Sequence, residues 1–393
     1  MNERQLFLSH IAQTSPNPLG LEIARAQDCK LWDKSGKEYI DLIAGISVCN
    51  VGHCHPTVVK AIQEQAAQYL HLMVYGEFIE SPQVQYATLL TQHLPSSLNA
   101  VYFTNSGTEA TEGAIKLAKR FTNRTEMIAF NNSYHGSTQG ALSVMGSEYW
   151  RNAFRPLLPN IWHERYNDYS MLECINENTA CVILETVQAE SGIMKPDTKW
   201  LQAIRQKCTE QNVVLILDEI QAGFGRTGSL WAFEQFNIVP DILLLGKALG
   251  GGMPLGAFIA DQKIMQSLTE NPVLGHITTF GGHPVSCAAG MVAMQVLLQS
   301  NWIQEVKTKE KLFIDQLQHP FIQSVRSAGL WMAIEFENFN INKKMIDACI
   351  KNGLITDWFL FAPQCLRIAP PLSITEEEIQ KACDIILNCL NKI

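Results

Sequence analysis

The chain has 393 residues and a formal net charge of −8, from 30 Lys and Arg against 38 Asp and Glu. An acidic chain without a basic cluster argues against binding to nucleic acid or to an anionic membrane surface, and no apolar run approaches the roughly 20 residues of a membrane span. Eleven cysteines without a C-x-x-C pair indicate free thiols and a cytoplasmic protein. The charged fraction of 17% is below the usual value of about 25%, which indicates a large core, alone or, as we favour, together with a partner subunit.

Residues 20–48 predict a β-hairpin, with strand-like segments at 29–32 and 39–43 on either side of a turn at 33–36. Farther along the chain, short apolar runs alternate with amphipathic stretches of helical length, such as 109–120 and 199–211. Continuous apolar strands that alternate with helices predict a mostly parallel sheet with both faces covered. The runs that predict these strands are residues 101–104, 127–130, 181–186, 213–217, 242–245 and 257–260.

The C-terminal third differs, because it predicts helices, one strand at 331–336 and a closing amphipathic helix after Thr375. We therefore predict that residues 49–282 form a large α/β domain and that residues 1–48 and 283–393 pack together as a smaller α+β domain. Ligands of open α/β sheets bind at the carboxyl ends of the strands. Polar residues directly after the predicted strands are therefore the candidate site.

The run at 101–104 leads into a segment that suits a phosphate group. Ser106 and Glu109 have the spacing of a capping box, Gly107 permits a close backbone approach, and the free N–H groups of the first helical turn can bind an anion. An ordinary helix cap is the alternative. A second hydroxyl-rich segment at 276–284, which contains Thr279 and two glycines, predicts either another anion site or a simple turn.

Two charged residues follow other apolar runs. Asp218 ends the run at 213–217, where a buried carboxylate is costly unless a cation or hydrogen-bond donors meet it; a helix cap or a structural ion pair is the alternative. Lys247 follows the run at 242–245 and precedes three glycines. A lysine in an apolar pocket has a lowered pKa, so more of it is the neutral amine that forms a Schiff base. A lysine that extends to solvent is the alternative, but the flexibility of three glycines is costly unless something must approach closely.

Two other motifs predict chemistry less well. Gly223 to Gly228 matches the G-x-G-x-x-G pattern of dinucleotide-binding proteins, but it does not form the tight turn between a strand and a helix. An NAD-dependent dehydrogenase is therefore a weak alternative. Residues 52–56 contain two histidines and a cysteine without a fourth ligand nearby, so we interpret them as a packed turn and predict no metal site.

Pyridoxal 5'-phosphate (PLP) is one cofactor that uses all four strand ends. It has an aldehyde for Lys247, a ring nitrogen for Asp218, and a phosphate for the amides and hydroxyls near Gly107 and Thr279. A protonated ring nitrogen withdraws electrons from the carbon that loses its proton, which explains why a carboxylate is needed there. The residues therefore predict a PLP enzyme.

The sequence resembles the class III, or ω-, aminotransferases of fold type I, especially the branch of acetylornithine and ornithine aminotransferases. Its most specific motif is D-E-I-Q-A-G-F-G-R-T-G at 218–228, followed by Gly246 and Lys247. The other matching segments span almost the whole chain: 31–42, 51–56, 106–110, 134–136, 184–188, 246–250, 278–282 and 366–371. The resemblance implies a large domain with a mostly parallel seven-stranded sheet, a smaller α+β domain, and ping-pong transamination from an amino donor to a 2-oxo acid through pyridoxamine phosphate.

The resemblance also implies roles for single residues. Lys247 would hold PLP and move the proton, Asp218 would pair with the ring nitrogen, and Gln221 would hydrogen-bond the phenolic oxygen. Tyr134 would stack on the ring. The other cofactor-binding residues would be Ser106, Gly107, Thr108, His135 and Glu185, with Thr279 from the other subunit of a homodimer with shared active sites.

Arg367 would bind a substrate carboxylate, and Glu190 would pair with Arg367 when the donor has no α-carboxylate there. Enzymes of this branch usually have an arginine where the chain has Ser137, and its loss removes a bidentate partner for a second carboxylate. We therefore expect an ω-amino donor of the acetylornithine or 4-aminobutyrate kind rather than ornithine. An aminomutase or a decarboxylase on the same fold is the alternative. Use of 2-oxoglutarate would need one of three arginines as a substitute: Arg151, Arg155 or Arg165.

Overall fold

The computed structural model describes residues 2–392 and begins with a short helix and three antiparallel strands. The strands are β1 Ile23–Gln27, β2 Lys30–Asp33 and β3 Glu38–Asp41. The predicted hairpin turn forms because Asp33 Oδ1 accepts hydrogen bonds from the backbone N–H groups of Ser35 (2.9 Å) and Lys37 (3.0 Å).

The central sheet has seven strands in the order β4-β10-β9-β8-β7-β5-β6. Their bounds are β4 Ala100–Thr104, β5 Glu126–Phe130, β6 Ile161–Glu164, β7 Thr179–Glu185, β8 Val214–Asp218, β9 Ile242–Leu245 and β10 Gly256–Ala260. β10 is antiparallel to both of its neighbours, and the other pairs are parallel. All residues of β7, β8, β9 and β10 are buried, which explains why these strands are continuous apolar runs.

Helices pack on both faces of this sheet and account for much of the remaining chain. Their bounds are α1 Glu3–His10, α2 Ala44–Ser47, α3 Pro56–Gln68, α4 Ser81–Gln92, α5 Gly107–Thr122, α6 Gln139–Val144, α7 Glu148–Arg151, α8 Thr198–Gln211, α9 Gln262–Met265, α10 Pro284–Gln299, α11 Trp302–Gln316, α12 Phe339–Lys351 and α13 Glu376–Leu390. Alternate residues of β9 show the two faces, because Ile242 and Leu244 join the apolar cluster beneath α5, whereas Leu243 and Leu245 join the cluster that contains α8 residues.

The C-terminal segment adds a second antiparallel sheet in the order β11-β12-β15-β14. Its strands, with one more that joins the N-terminal sheet, are β11 Ser324–Ser327, β12 Met332–Glu335, β13 Leu354–Ile355, β14 Trp358–Phe359 and β15 Ala362–Ile368. β13 runs parallel to β3, and the Ile40 N–H donates to Gly353 O at 2.9 Å. The N-terminal and C-terminal segments thus share one sheet.

The predicted fold class is confirmed, with a large α/β unit around seven strands and a smaller unit beside it. The closing helix also begins where it was predicted, because Thr375 and Glu378 form a capping box. The domain boundaries at residues 48 and 282 stay a prediction. Within residues 2–392, none of the helices is both long enough and apolar enough to cross a bilayer.

Candidate active site

A cavity of about 300 Å³ lies at the carboxyl ends of β7, β8 and β9 and at the start of α5. This is the edge of the sheet where the sequence predicts the site. The predicted residues that line the cavity are Gly107, Thr108, Tyr134, His135, Ser137, Glu185, Asp218, Gln221 and Lys247. Four predicted residues do not line it: Ser106, Glu190, Thr279 and Arg367.

The N-terminus of α5 forms one wall of the cavity. Ser106 is its N-cap, and Ser106 Oγ accepts a hydrogen bond from Glu109 N at 3.4 Å, so this hydroxyl serves the helix. Thr108 Oγ1 lies 2.6 Å from Thr138 Oγ1 and accepts from Thr138 N at 3.2 Å. A Cβ on Gly107 would lie 2.8 Å from Ile220 Cδ1, so only glycine fits this close approach.

Asp218 and His135 form a buried pair. The Nδ1 of His135 lies 2.7 Å from Asp218 Oδ2, and Asp218 Oδ1 accepts a hydrogen bond from Ile220 N at 2.9 Å. Burial disfavours the charged imidazole, but the hydrogen bond and charge of Asp218, with the charge of Glu185, raise the pKa of His135 above its ordinary value. The Nε2 of His135 is buried without a hydrogen-bond partner among residues 2–392.

Lys247 follows β9 and carries a backbone strain. Its φ is +46°, in the left-handed region that side chains other than glycine rarely adopt. Burial lowers the pKa of Lys247, although the negative charges of Asp218, Glu190 and Glu185 oppose the shift. A larger fraction of this lysine is therefore neutral amine than in a solvent-exposed lysine, as the sequence predicts.

Glu190 and Arg367 form a bidentate ion pair in which both side chains are buried. The two guanidinium nitrogens Nη1 and Nη2 donate to Glu190 Oε1 and Oε2, each at 3.0 Å. Glu190 Oε2 also accepts from Leu360 N at 2.8 Å. Arg367 has a second partner that the sequence did not reveal, because its Nε lies 2.8 Å from Asp357 Oδ1. Burial raises the pKa of Asp357 to about 6, and Arg367 acts against this shift.

Ser137 lies in the cavity wall, with its Oγ 3.2 Å from Tyr134 Oη. The three arginines that could substitute for the missing one do not reach the cavity. Arg151 and Arg155 both pair with Glu148, at 2.8 Å and 2.7 Å, and Arg165 is exposed. Among the cavity-lining residues that the structure describes, Lys247 is the only lysine or arginine.

The remaining candidates lie outside the cavity. Thr279 is exposed, so its contact with a cofactor phosphate in another subunit stays a prediction. Gly223 to Gly228 form turns without a helix at Gly228, and the buried Arg226 donates to Leu330 O at 2.7 Å and to Asn50 Oδ1 at 2.6 Å. This packing role leaves no dinucleotide-binding turn. Within residues 2–392 no group of side chains could hold a metal ion.

The sequence model of the aminotransferase class-III family matches residues 11–390. The chain is a class III aminotransferase. The acetylornithine aminotransferase of Methanopyrus kandleri is 40% identical over 91% of this chain and 90% of its own length. The acetylornithine aminotransferase of Bacillus cereus is 37% identical over 96% of each chain.

Solved structures agree with this assignment. The ornithine aminotransferase of Toxoplasma gondii, which was crystallised with partial occupancy of PLP in its active site, superposes with a TM-score of 0.91 at 29% identity, over 99% of this chain and 93% of its own. The adenosylmethionine-8-amino-7-oxononanoate aminotransferase of Methanocaldococcus jannaschii superposes with a TM-score of 0.92 at 27% identity, over 99% and 98% of the two chains.

This class III aminotransferase uses PLP, and the residues of the cavity fit that cofactor. The fit rests on three observations: a lysine whose pKa is lowered by burial, a buried carboxylate held by a histidine, and an open helix N-terminus, all around one cavity. Cavity residues that sequence reasoning missed are Val187, Ala189, Ile220, Ala222 and Trp331. Small and apolar side chains of this kind carry no chemical signal in a sequence, so only the fold reveals them.

Proposed function

We propose that this aminotransferase takes the ω-amino group of an amino acid and transfers it to a 2-oxo acid. The observation that carries the proposal is the buried fork between Glu190 and Arg367, whose charges are near enough to Lys247 to shift its pKa. A single site that accepts two substrates of different charge has to offer a guanidinium to one and mask it from the other. Glu190 masks Arg367 while an ω-amino donor reacts, and releases it for the α-carboxylate of the second substrate.

N-acetylornithine is the first donor to test, because the relatives that share 40% and 37% identity are acetylornithine aminotransferases. A panel should also include 4-aminobutyrate, ornithine, lysine and β-alanine as donors, with 2-oxoglutarate and pyruvate as acceptors. The decay of cofactor absorbance in the donor half-reaction measures each donor without a coupled enzyme. Activity that is confined to α-amino donors would contradict the proposal.

We further propose roles for the cavity residues. When bound, PLP supplies an aldehyde for amine exchange and a ring that withdraws electrons from the reacting carbon. Asp218 holds the ring nitrogen in its charged form, and the neutral amine of Lys247 takes the proton from the substrate carbon and returns it. Tyr134 covers the ring and Gln221 binds its phenolic oxygen. The phosphate-binding residues are Gly107 and Thr108.

We also propose a homodimer in which Thr279 of each subunit completes the other site. Large apolar side chains are exposed around this segment, including Phe280, which is 53% exposed, and Ile79, which is 94% exposed. The ring of Phe280 lies 4.6 Å from the ring of His71, so the two loops form one surface. The eleven cysteines are all free thiols, which supports a reducing compartment such as the cytoplasm.

Replacing Glu190 by glutamine is expected to shift donor preference towards α-amino acids. Glutamine keeps the size but not the charge, so the mask over Arg367 weakens. A charged hydrogen bond contributes roughly 1.5–3 kcal/mol, and about 1.4 kcal/mol is a tenfold change. We expect the ratio of kcat/KM for N-acetylornithine to that for L-glutamate to fall about tenfold or more.

The matched control for this variant is Asp241→Asn. Asp241 also pairs with an arginine, because Arg205 Nη1 lies 2.8 Å from Asp241 Oδ2, but it precedes β9 at the opposite edge of the sheet from the cavity. This control should keep the wild-type donor ratio. An unchanged ratio in Glu190→Gln would reject the gate.

Replacing Ser137 by arginine is expected to favour a dicarboxylic acceptor. The new guanidinium would enter a cavity wall that offers a second carboxylate no arginine from this chain. We expect kcat/KM for 2-oxoglutarate relative to pyruvate to rise about tenfold, the order of one charged hydrogen bond. Ser137→Met, which adds a similar bulk without charge, is the control. An equal rise for both acceptors would show that charge at this position does not select the acceptor.

A further inference from the structure

Glu185 is the last residue of β7, and its carboxylate connects two loops of the active site. Its Oε1 accepts a hydrogen bond from Tyr134 N at 2.9 Å, and its Oε2 accepts one from Ala189 N at 2.8 Å. The side chain is buried, with 5% of its surface exposed. Although Glu185 lines the cavity, each of its oxygens is therefore already used by the backbone of a neighbouring loop.

The second of these loops carries the gate residue Glu190. The amide before Glu190 is held by Glu185 through Ala189 N, and the carbonyl of Glu190 accepts from Phe361 N at 3.0 Å. The loop closes two residues later, where Gly192 N donates to Ala189 O at 3.1 Å. With the backbone fixed on both sides, opening the gate requires only a rotation of the Glu190 side chain.

The two hydrogen bonds need both oxygens of Glu185 as acceptors, which an ionised carboxylate provides and a protonated one does not. Burial raises the pKa of Glu185 to about 7, with a further contribution from Asp218, while His135 and the two amides oppose the shift. A buried carboxylate on this strand is therefore costly. The arrangement that offsets its cost is the alignment of the two loops.

We propose that Glu185 is a positioning residue that holds the Glu190 loop in the closed-gate geometry while it aligns the Tyr134 loop over the cofactor. The inference rests on the proposed Glu190–Arg367 gate. The Tyr134 contact serves both half-reactions, because both use the same ring, whereas the Ala189 contact serves the half-reaction in which Arg367 is masked. Loss of Glu185 therefore slows both half-reactions but penalises the ω-amino donor more.

The test is a comparison of half-reactions in the holoenzyme of Glu185→Met. Methionine has a similar length and no oxygen acceptor, so both amides lose their partner. Single-turnover rates with N-acetylornithine and with L-glutamate are measured from the absorbance of the bound cofactor. We expect the ratio of the two rate constants to fall about tenfold in favour of L-glutamate. Glu185→Gln, which keeps one acceptor and the volume, should lie between wild type and Glu185→Met, and it replaces that variant if Glu185→Met does not fold.

Glu219→Met is the matched control. Glu219 is also a buried carboxylate at the end of a neighbouring strand, and it accepts from Ala232 N at 2.7 Å and Phe233 N at 2.6 Å, but it does not line the cavity. This variant should lose thermal stability and keep the wild-type ratio. A ratio that stays at the wild-type value in the Glu185 variants, or that shifts equally in Glu219→Met, overturns the inference. If Glu190→Gln shifts the ratio and the Glu185 variants do not, the gate stands and only the positioning role fails; if Glu190→Gln does not shift it, the gate itself fails.

Discussion

Replacing Lys247 by alanine is expected to reduce turnover by at least about 10⁴-fold, because the side chain is both the attachment point of PLP and the base that moves the proton. The pKa of Lys247 is lowered by burial, so its neutral amine is available near neutral pH. Alanine has neither a nucleophile nor a base. The variant should still bind PLP non-covalently through the other cavity residues, so its absorbance spectrum would differ from that of the wild type while turnover is lost.

Lys309→Ala separates this effect from the loss of a buried lysine in general. Lys309 is also buried, and its Nζ donates to Leu372 O at 3.0 Å and pairs with Glu305 at 2.8 Å, away from the cavity. That control should lower the unfolding temperature and keep kcat. Steady-state turnover, thermal unfolding and borohydride reduction followed by peptide mapping are the measurements. Turnover above a tenth of wild type in Lys247→Ala would remove the assignment of Lys247.

The central strands were predictable because burial on both faces makes them continuous apolar runs. Six of the seven strands of the large sheet correspond to such runs, within one to three residues at each end. The seventh, β6, lies at the edge of the sheet, where Trp162 is 56% exposed and the strand is not uniformly apolar. A half-buried edge strand of four residues has no continuous run, so its pattern does not distinguish it from a loop.

The site was predictable where chemistry is written in one short segment. Lys247 and Asp218 are charged residues at the ends of apolar strands, and this contrast is visible in the sequence. Contacts between distant segments have no such signal: Glu185 and Tyr134 are 51 residues apart, and Arg367 and Glu190 are 177 residues apart. The resemblance to a family supplied the Glu190–Arg367 pair. Only the fold shows that Asp357 also pairs with Arg367 and that Glu185 holds two backbone amides.

Replacing Asp218 by asparagine is expected to leave PLP bound and to reduce the rate of proton transfer about 10²- to 10³-fold, the range seen when one preorganised electrostatic partner is removed. Asparagine has the same shape, and its Oδ1 can still accept from Ile220 N, which lies 2.9 Å from the native oxygen. The ring nitrogen would lose its charged partner, so the ring would withdraw electrons less strongly. His135 would lose the hydrogen bond and charge that raise its pKa, so the imidazole would titrate at a lower pH.

Asp41→Asn provides a closely matched control, because Asp41 is a second buried aspartate that pairs with a histidine. His53 Nε2 lies 2.7 Å from Asp41 Oδ2, and Asp41 Oδ1 accepts from Ile43 N at 2.8 Å, but neither residue lines the cavity. Both variants should lose stability, since each breaks a buried Asp–His pair. Only Asp218→Asn should slow the single-turnover half-reactions, and it should slow them with every donor, because the ring nitrogen acts in all of them. Equal rates in wild type and Asp218→Asn would contradict the assignment, and equal slowing in Asp41→Asn would attribute the effect to packing rather than to the ring nitrogen.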